Sequence, residues 1–141
     1  MARYDGKRAV VIGGTSGMGL ATARLLRDDG VSVLVTGRTE QGVETARRQL
    51  GDQVEVVVSD TTSVVDIAAL GEHVEERLGR VDAVFVSAGI SRAASVEETS
   101  EDIFDEVFAV NVKGPYFTLQ RLVPLMAEGS GIVLATSVSN V

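Results

Sequence analysis

The stretch Gly13-Gly14-Thr15-Ser16-Gly17-Met18-Gly19 is the part of the chain best suited to hold a ligand, and the ligand it suits is a phosphate. A glycine-rich turn lets main-chain N–H groups approach a pyrophosphate closely, and a helix opening behind it adds roughly half a positive charge. An acidic protein can hold an anion this way without a basic side chain. Alone, the pattern also describes a tight structural turn. Its place between an apolar run and an amphipathic segment favours the binding reading. A second group stands at Gly37-Arg38, at the end of the next apolar run. In βαβ dinucleotide sites an Asp or Glu there accepts hydrogen bonds from a ribose 2′-OH, whereas a 2′-phosphate needs a cation and no nearby acid. Glycine fills the acidic place, and the Arg38 guanidinium can fork onto a phosphate and stack on a base. Glu40 competes as the acid, but Thr39 reads as a helix N-cap, which puts Glu40 in a first turn where the dipole already favours it.

These groups need a frame. Arg8 to Ile12, Val31 to Thr36, Val54 to Val58, Ala83 to Val86 and Ile132 to Thr136 are apolar runs rich in Val and Ile, too short for helices, and read as strands. Between them Met18, Ala21 and Leu25 recur at helical spacing, as do Val43, Ala46 and Leu50, and then Ile67, Leu70, Val74 and Leu78. Each set is expected to be the buried stripe of a helix lying on a sheet. Ser63 with Asp66 predicts a capping box, and Gly79 a helix stop. A long helical segment is expected from Glu101 to about Met126, with Phe104, Val107, Phe108, Leu119, Val123 and Met126 on its apolar side. Gly114-Pro115 should kink or divide it, because proline removes a donor and clashes with the preceding turn. Such alternation favours a parallel sheet covered on both faces, with right-handed crossovers. The expectation is a doubly wound α/β (Rossmann) fold, residues 1–141 forming one domain without repeat or linker.

The glycines at 13, 17 and 19 are spaced GxxxGxG, which resembles the short-chain dehydrogenase/reductase family. Further elements resemble that family's pattern in order along the whole chain. Asp60, followed by Thr61 after the third strand, resembles the acidic residue that contacts the adenine. Ser87-Ala88-Gly89 resembles the Asn-Asn-Ala-Gly segment that closes the cofactor floor. Asn111 resembles the helix asparagine, and Ser137 in Ala135-Thr136-Ser137-Val138-Ser139 falls where the catalytic serine sits. The resemblance implies strands 1 to 5 of the family fold and a cofactor site formed by Gly13, Thr15, Ser16, Gly17, Met18, Gly19, Arg38, Asp60, Thr61, Ser87, Ala88, Gly89 and Asn111. It also implies hydride transfer between nicotinamide and a ketone or secondary alcohol. In that scheme Ser137 bonds the substrate carbonyl, and Asn111 holds a water and the helix kink through which a lysine is reprotonated.

Three departures from the family pattern bear on this. Ile12 stands where the family has threonine, and Val86-Ser87 replace the paired asparagines, which removes side-chain bonds between the fourth strand and the turn. The family's Tyr-x-x-x-Lys motif lies on the helix after the fifth strand, beyond Val141; Tyr4 and Tyr116 are followed four residues on by Arg8 and Gln120. Two readings stay open: an oxidoreductase when complete, or, for want of the Tyr/Lys pair, a non-catalytic dinucleotide-binding module or inactive fragment. NADP(H) is the expected cofactor, with NAD(H) second.

Composition bounds the rest. Thirteen Lys and Arg against twenty Asp and Glu give a net charge of −7, so nucleic acid is not an expected partner. With no Cys and one His, zinc ribbons, thiol nucleophiles and multi-histidine metal sites are excluded. His73 reads as a solvated helix position, and the acids from Glu97 to Glu106 as the polar side of an amphipathic helix. The amino terminus lacks the apolar core of a signal peptide, and no run approaches ~18 apolar residues, so a cytoplasmic chain without a membrane span is expected. The resemblance adds homo-oligomerisation through the long helix.

Overall fold

A computed structural model describes residues 2–137. Its sheet holds β1 (Arg8–Ile12), β2 (Ser32–Gly37), β3 (Val54–Val58), β4 (Val81–Val86) and β5 (Met126–Leu134), all parallel, in the order β3-β2-β1-β4-β5. The chain steps outward from β1 to β3 and returns to lay β4 on the other side of β1. Strand order therefore reverses between β1 and β4, and ligands of open α/β sheets bind in the crevice at such a switch point.

Alternate residues of β1 and β2 face opposite layers. Ala9, Val11, Val33 and Val35 pack toward α1 (Gly17–Asp28) and α2 (Glu40–Leu50) through Ala23, Val43, Ala46 and Leu50. Val10, Ile12 and Leu34 pack on the other face, toward α3 (Val64–Leu78) and α5 (Gly114–Leu122), through Leu70, Val74 and Leu122. This double coverage explains why the strands read as unbroken apolar runs. Thr39 caps α2 by accepting from the Gly42 N–H, and Ser63 caps α3 by accepting from that of Asp66. Gly79 ends α3 at φ +72, as expected.

Three expectations need correction. On α1, Met18 and Leu25 are 66% and 68% exposed and Ala21 is exposed with them; the inner face is Gly19, Leu20, Ala23 and Leu26. The helix rotates because Gly19 must lie on the preceding turn, and a glycine in the contact face leaves no mark in an apolar count. The long helical segment divides just before Gly114-Pro115, as expected, but its expected apolar side is not buried. α4 (Glu101–Phe108) passes through a π-helical turn, Ala109–Lys113, into α5, and a short 3₁₀ turn at Val123–Leu125 follows. Pro115 lies in the first turn of α5, where a missing N–H costs least. Of the apolar side expected there, Phe104, Phe108 and Val123 are about half exposed. Finally, β5 spans Met126–Leu134 rather than starting at Ile132 and ending at Thr136. Residues 127–130 bulge between the Met126–Val81 and Gly131–Ala83 pairs, with Gly129 at positive φ, so no alternation marks them.

Candidate functional site

The turn between β1 and α1 is built by contacts that only glycine allows. Gly13 has φ +76, and a Cβ on it would stand 2.7 Å from the main-chain nitrogen of Ala88. The segment leaving β4 thus lies directly against the turn. A Cβ on Gly19 would overlap the Gly13 carbonyl oxygen, so α1 begins in contact with the turn that precedes it. At Gly17, φ is +55 and a Cβ would meet nothing within 4 Å, which leaves open space over the start of α1. Main chain joins the segment leaving β4 to the end of β1: the Ser87 and Ala88 N–H groups donate to the Ile12 carbonyl at 2.8 and 3.1 Å. Gly14 N donates to the Thr36 carbonyl at 2.9 Å, and Gly13 N to Thr36 Oγ1 at 3.3 Å. Thr36 is a residue the sequence reading missed; its only signal is a hydroxyl closing an apolar run.

α1 also differs from its neighbours at its amino end. Thr39, Ser63 and Ser100 cap α2, α3 and α4 with their side chains, whereas Ser16, the N-cap of α1, makes no such bond. The first N–H groups of α1 are left for another acceptor.

One groove over this turn gathers Gly13, Thr15, Ser16, Arg38, Asp60, Thr61, Ser87, Ala88 and Gly89, all of them expected site residues, with Thr36, Gly37, Ser59, Ile90 and Val110. An adjoining cleft of about 650 Å³ shares Ser87, Ala88 and Gly89 and adds Met18, Asn111 and Ser137. Gly17 and Gly19 line neither; they shape the turn. Val138 and Ser139 of the serine segment lie outside the described residues. Ser59, unremarked in the sequence, is 5% exposed, and its hydroxyl finds no partner among the described residues. A buried orphan hydroxyl lining a groove is a group awaiting a ligand or a water.

Asp60 turns back on itself. Its Oδ1 accepts from Thr62 N at 2.8 Å and from Thr62 Oγ1 at 2.7 Å. The Thr62 main-chain bond chiefly, then its hydroxyl, hold the carboxyl below its ordinary value; burial opposes this and the Arg38 charge assists. Asp60 N donates to Asp66 Oδ2 at 2.9 Å, so the cap of α3 also fixes the wall of the groove. Arg38 makes no ion pair or hydrogen bond among the described residues.

Asn111 sits in the π-helical turn, a device common at functional positions. Its Oδ1 accepts from Ile90 N and its Nδ2 donates to Ile90 O, each at 2.8 Å. The side chain thereby pins the segment leaving β4 to the helix. Pro115, with no N–H, cannot bond the Asn111 carbonyl four residues before it. Elsewhere, His73 is not a free solvated position: its Nε2 meets Glu55, whose carboxylate Arg77 also holds at 3.0 Å, clipping α3 to β3. Among the described residues, no group of three or more His, Asp or Glu is placed to hold a metal, and no helix is long and apolar enough to cross a membrane.

The groove suits a long, phosphate-bearing ligand: a turn and an uncapped helix end at its centre, an acid and the Arg38 guanidinium at one side, and at the other a mostly apolar cleft that carries Asn111 and Ser137. A family model described as "short chain dehydrogenase" matches residues 7–140. The chain is 34% identical over 139 residues to oxidoreductase asL5 of Sarocladium schorii, covering 98% of this chain and 56% of that protein. It is 29% identical over 129 residues to 3-oxoacyl-[acyl-carrier-protein] reductase FabG of Thermotoga maritima, covering 89% and 52%. A crystal structure of a short-chain dehydrogenase/reductase from Brucella melitensis superposes with a TM-score of 0.87 at 26% identity, covering 93% of this chain and 57% of that one. The chain spans about half the length of the curated relatives it matches. With the switch-point crevice, the glycine turn and a match over nearly its whole length, the chain belongs to the short-chain dehydrogenase family.

Proposed function

We propose that residues 1–141 are the NADP(H)-binding domain of an oxidoreductase that moves hydride between nicotinamide and a ketone or secondary alcohol. The observation that carries this is the uncapped start of α1 behind the glycine turn, opening on a groove whose β2 end offers Gly37 and Arg38, which has no ion-pair partner among the described residues. The dinucleotide, when bound, supplies or accepts the hydride at its nicotinamide ring. The protein's own groups bind and orient. The turn amides and the start of α1 would hold the pyrophosphate, the Arg38 guanidinium would pair with the 2′-phosphate, and Asp60, whose Oδ1 is already taken by Thr62, would contact the adenine. Ser87, Ala88 and Gly89 line both clefts, and in this reading the reacting ring would lie beside Met18, Asn111 and Ser137.

Ser137 orients the substrate carbonyl by donating a hydrogen bond. Asn111 acts through position, fixing Ile90 with its amide, and in this reading its main-chain carbonyl, which Pro115 cannot bond, accepts from a proton-carrying water. Phe104, Phe108, Val112 and Tyr116, each about half exposed or more along α4 and α5, support pairing with a second copy. A net charge of −7 speaks against nucleic acid, and a cytoplasmic homo-oligomer acting on a small carbonyl or alcohol is the form proposed.

The test is NADPH oxidation by the full-length protein against a panel of ketones. Turnover that falls roughly 100-fold or more in Ser137→Ala, with NADPH affinity retained, supports the reading. Tight NADPH binding with no turnover of any carbonyl marks the non-catalytic module instead.

A further inference from the structure

Gly37 ends β2, and its backbone does not require glycine, since it is absent from the glycines with positive φ. Space requires it. A Cβ on Gly37 would overlap Thr15 Cγ2, stand 2.9 Å from Thr15 Oγ1 and lie 3.1 Å from Thr15 Cβ. Thr15 is β-branched and stiff about χ1, so its methyl and hydroxyl, the two groups nearest that position, do not readily turn away together. The same side chain faces the start of α2, with Oγ1 3.6 Å from where a Cβ of Gly42 would be. Thr15 thus fills the corner between the glycine turn, the end of β2 and the first turn of α2, on the wall that also carries Arg38.

An acid at position 37 is the group that would accept from a ribose 2′-OH. Its carboxylate would extend beyond a Cβ that already has no room. We infer that Thr15 is a specificity-determining residue: by holding position 37 to glycine it keeps that acid out and reserves the corner beside Arg38 for a 2′-phosphate. This rests on the proposed NADP(H) preference. It makes nucleotide choice a property of two positions in separate segments, so that neither alone converts it.

The test is a double-mutant cycle on the full chain, with NADH and NADPH affinities measured by calorimetry. Gly37→Asp alone is expected to gain no more than about threefold in NADH affinity. Introduced beside Thr15→Ala, the same change is expected to gain at least about tenfold, measured against Thr15→Ala itself. Equal gains in both backgrounds, or none in either, overturn the inference. Wild-type protein that binds NADH more tightly than NADPH refutes the cofactor reading, a separate result. A readout independent of nucleotide comes from Gly37→Ala, whose melting temperature should fall by roughly 5 °C beside Thr15 and clearly less beside Ala. Equal falls overturn the inference even where the Asp variant does not fold.

Discussion

Two glycines of one turn should fail in different ways when each is given a methyl group. At Gly13 the new Cβ meets a left-handed backbone and a wall, with Ala88 N at 2.7 Å and Ala88 Cα at 2.8 Å. The conformational penalty is about 1–2 kcal/mol and the overpacking about 1–3 kcal/mol, so Gly13→Ala should cost roughly 2–5 kcal/mol. At Gly17 the backbone is again left-handed, but nothing lies within 4 Å, so only the first penalty, about 1–2 kcal/mol, applies. Its methyl instead stands over the start of α1, where the pyrophosphate is proposed to sit. Urea unfolding followed by circular dichroism measures the stability, and calorimetry with NADPH measures the affinity. Gly17→Ala is expected to stay folded and to bind NADPH at least about tenfold more weakly. If Gly17→Ala proves as destabilising as Gly13→Ala, or binds NADPH like the wild type, the reasoning about this turn is wrong.

Three further outcomes follow from the same geometry. Asp60 has a folded-state pKa below its ordinary value of about 3.8, so its contribution to stability is full above that value and is lost as pH falls through the lower folded-state value. Urea midpoints across the acid range should show a shallower loss in Asp60→Asn, and an unchanged slope would contradict this. Asn111→Ala frees Ile90 N–H and C=O, which should cost about 1–2 kcal/mol and speed hydrogen exchange at Ile90; unchanged protection there would deny Asn111 its positioning role. The proposed pairing with a second copy through α4 predicts an oligomer in sedimentation equilibrium that Phe104→Glu with Phe108→Glu, a stacked pair with centroids 4.3 Å apart, turns into a monomer; a wild-type monomer, or an oligomer that survives the change, would contradict it.

The layers and the strand alternation were legible because strands buried on both faces carry unbroken Val and Ile, and α2 and α3 carry clean stripes such as Val43-Ala46-Leu50. The stripe failed on α1, where contact is made by Gly19 and Ala23 while Met18 and Leu25 point outward. Apolar spacing finds side chains that fill space, and this helix is set by a residue that leaves it empty. At the site, Gly13 and Arg38 are singled out by type and spacing and Asp60 by the family resemblance, and one groove brings the three together. Thr36 and Ser59 were not singled out, because a single hydroxyl in a strand has no pattern; its role appears only when two distant segments meet at a turn. The Thr15–Gly37 contact escaped for the same reason, joining positions whose separation the sheet, not the spacing, sets.

The most direct test of the central claim is calorimetric titration of folded protein with NADPH and with NADH, repeated on Arg38→Ala. The account predicts NADPH binding at least about tenfold tighter than NADH, with the Arg38→Ala change removing that difference by weakening NADPH alone. No heat with either nucleotide, or a preference for NADPH that survives the loss of Arg38, would contradict it.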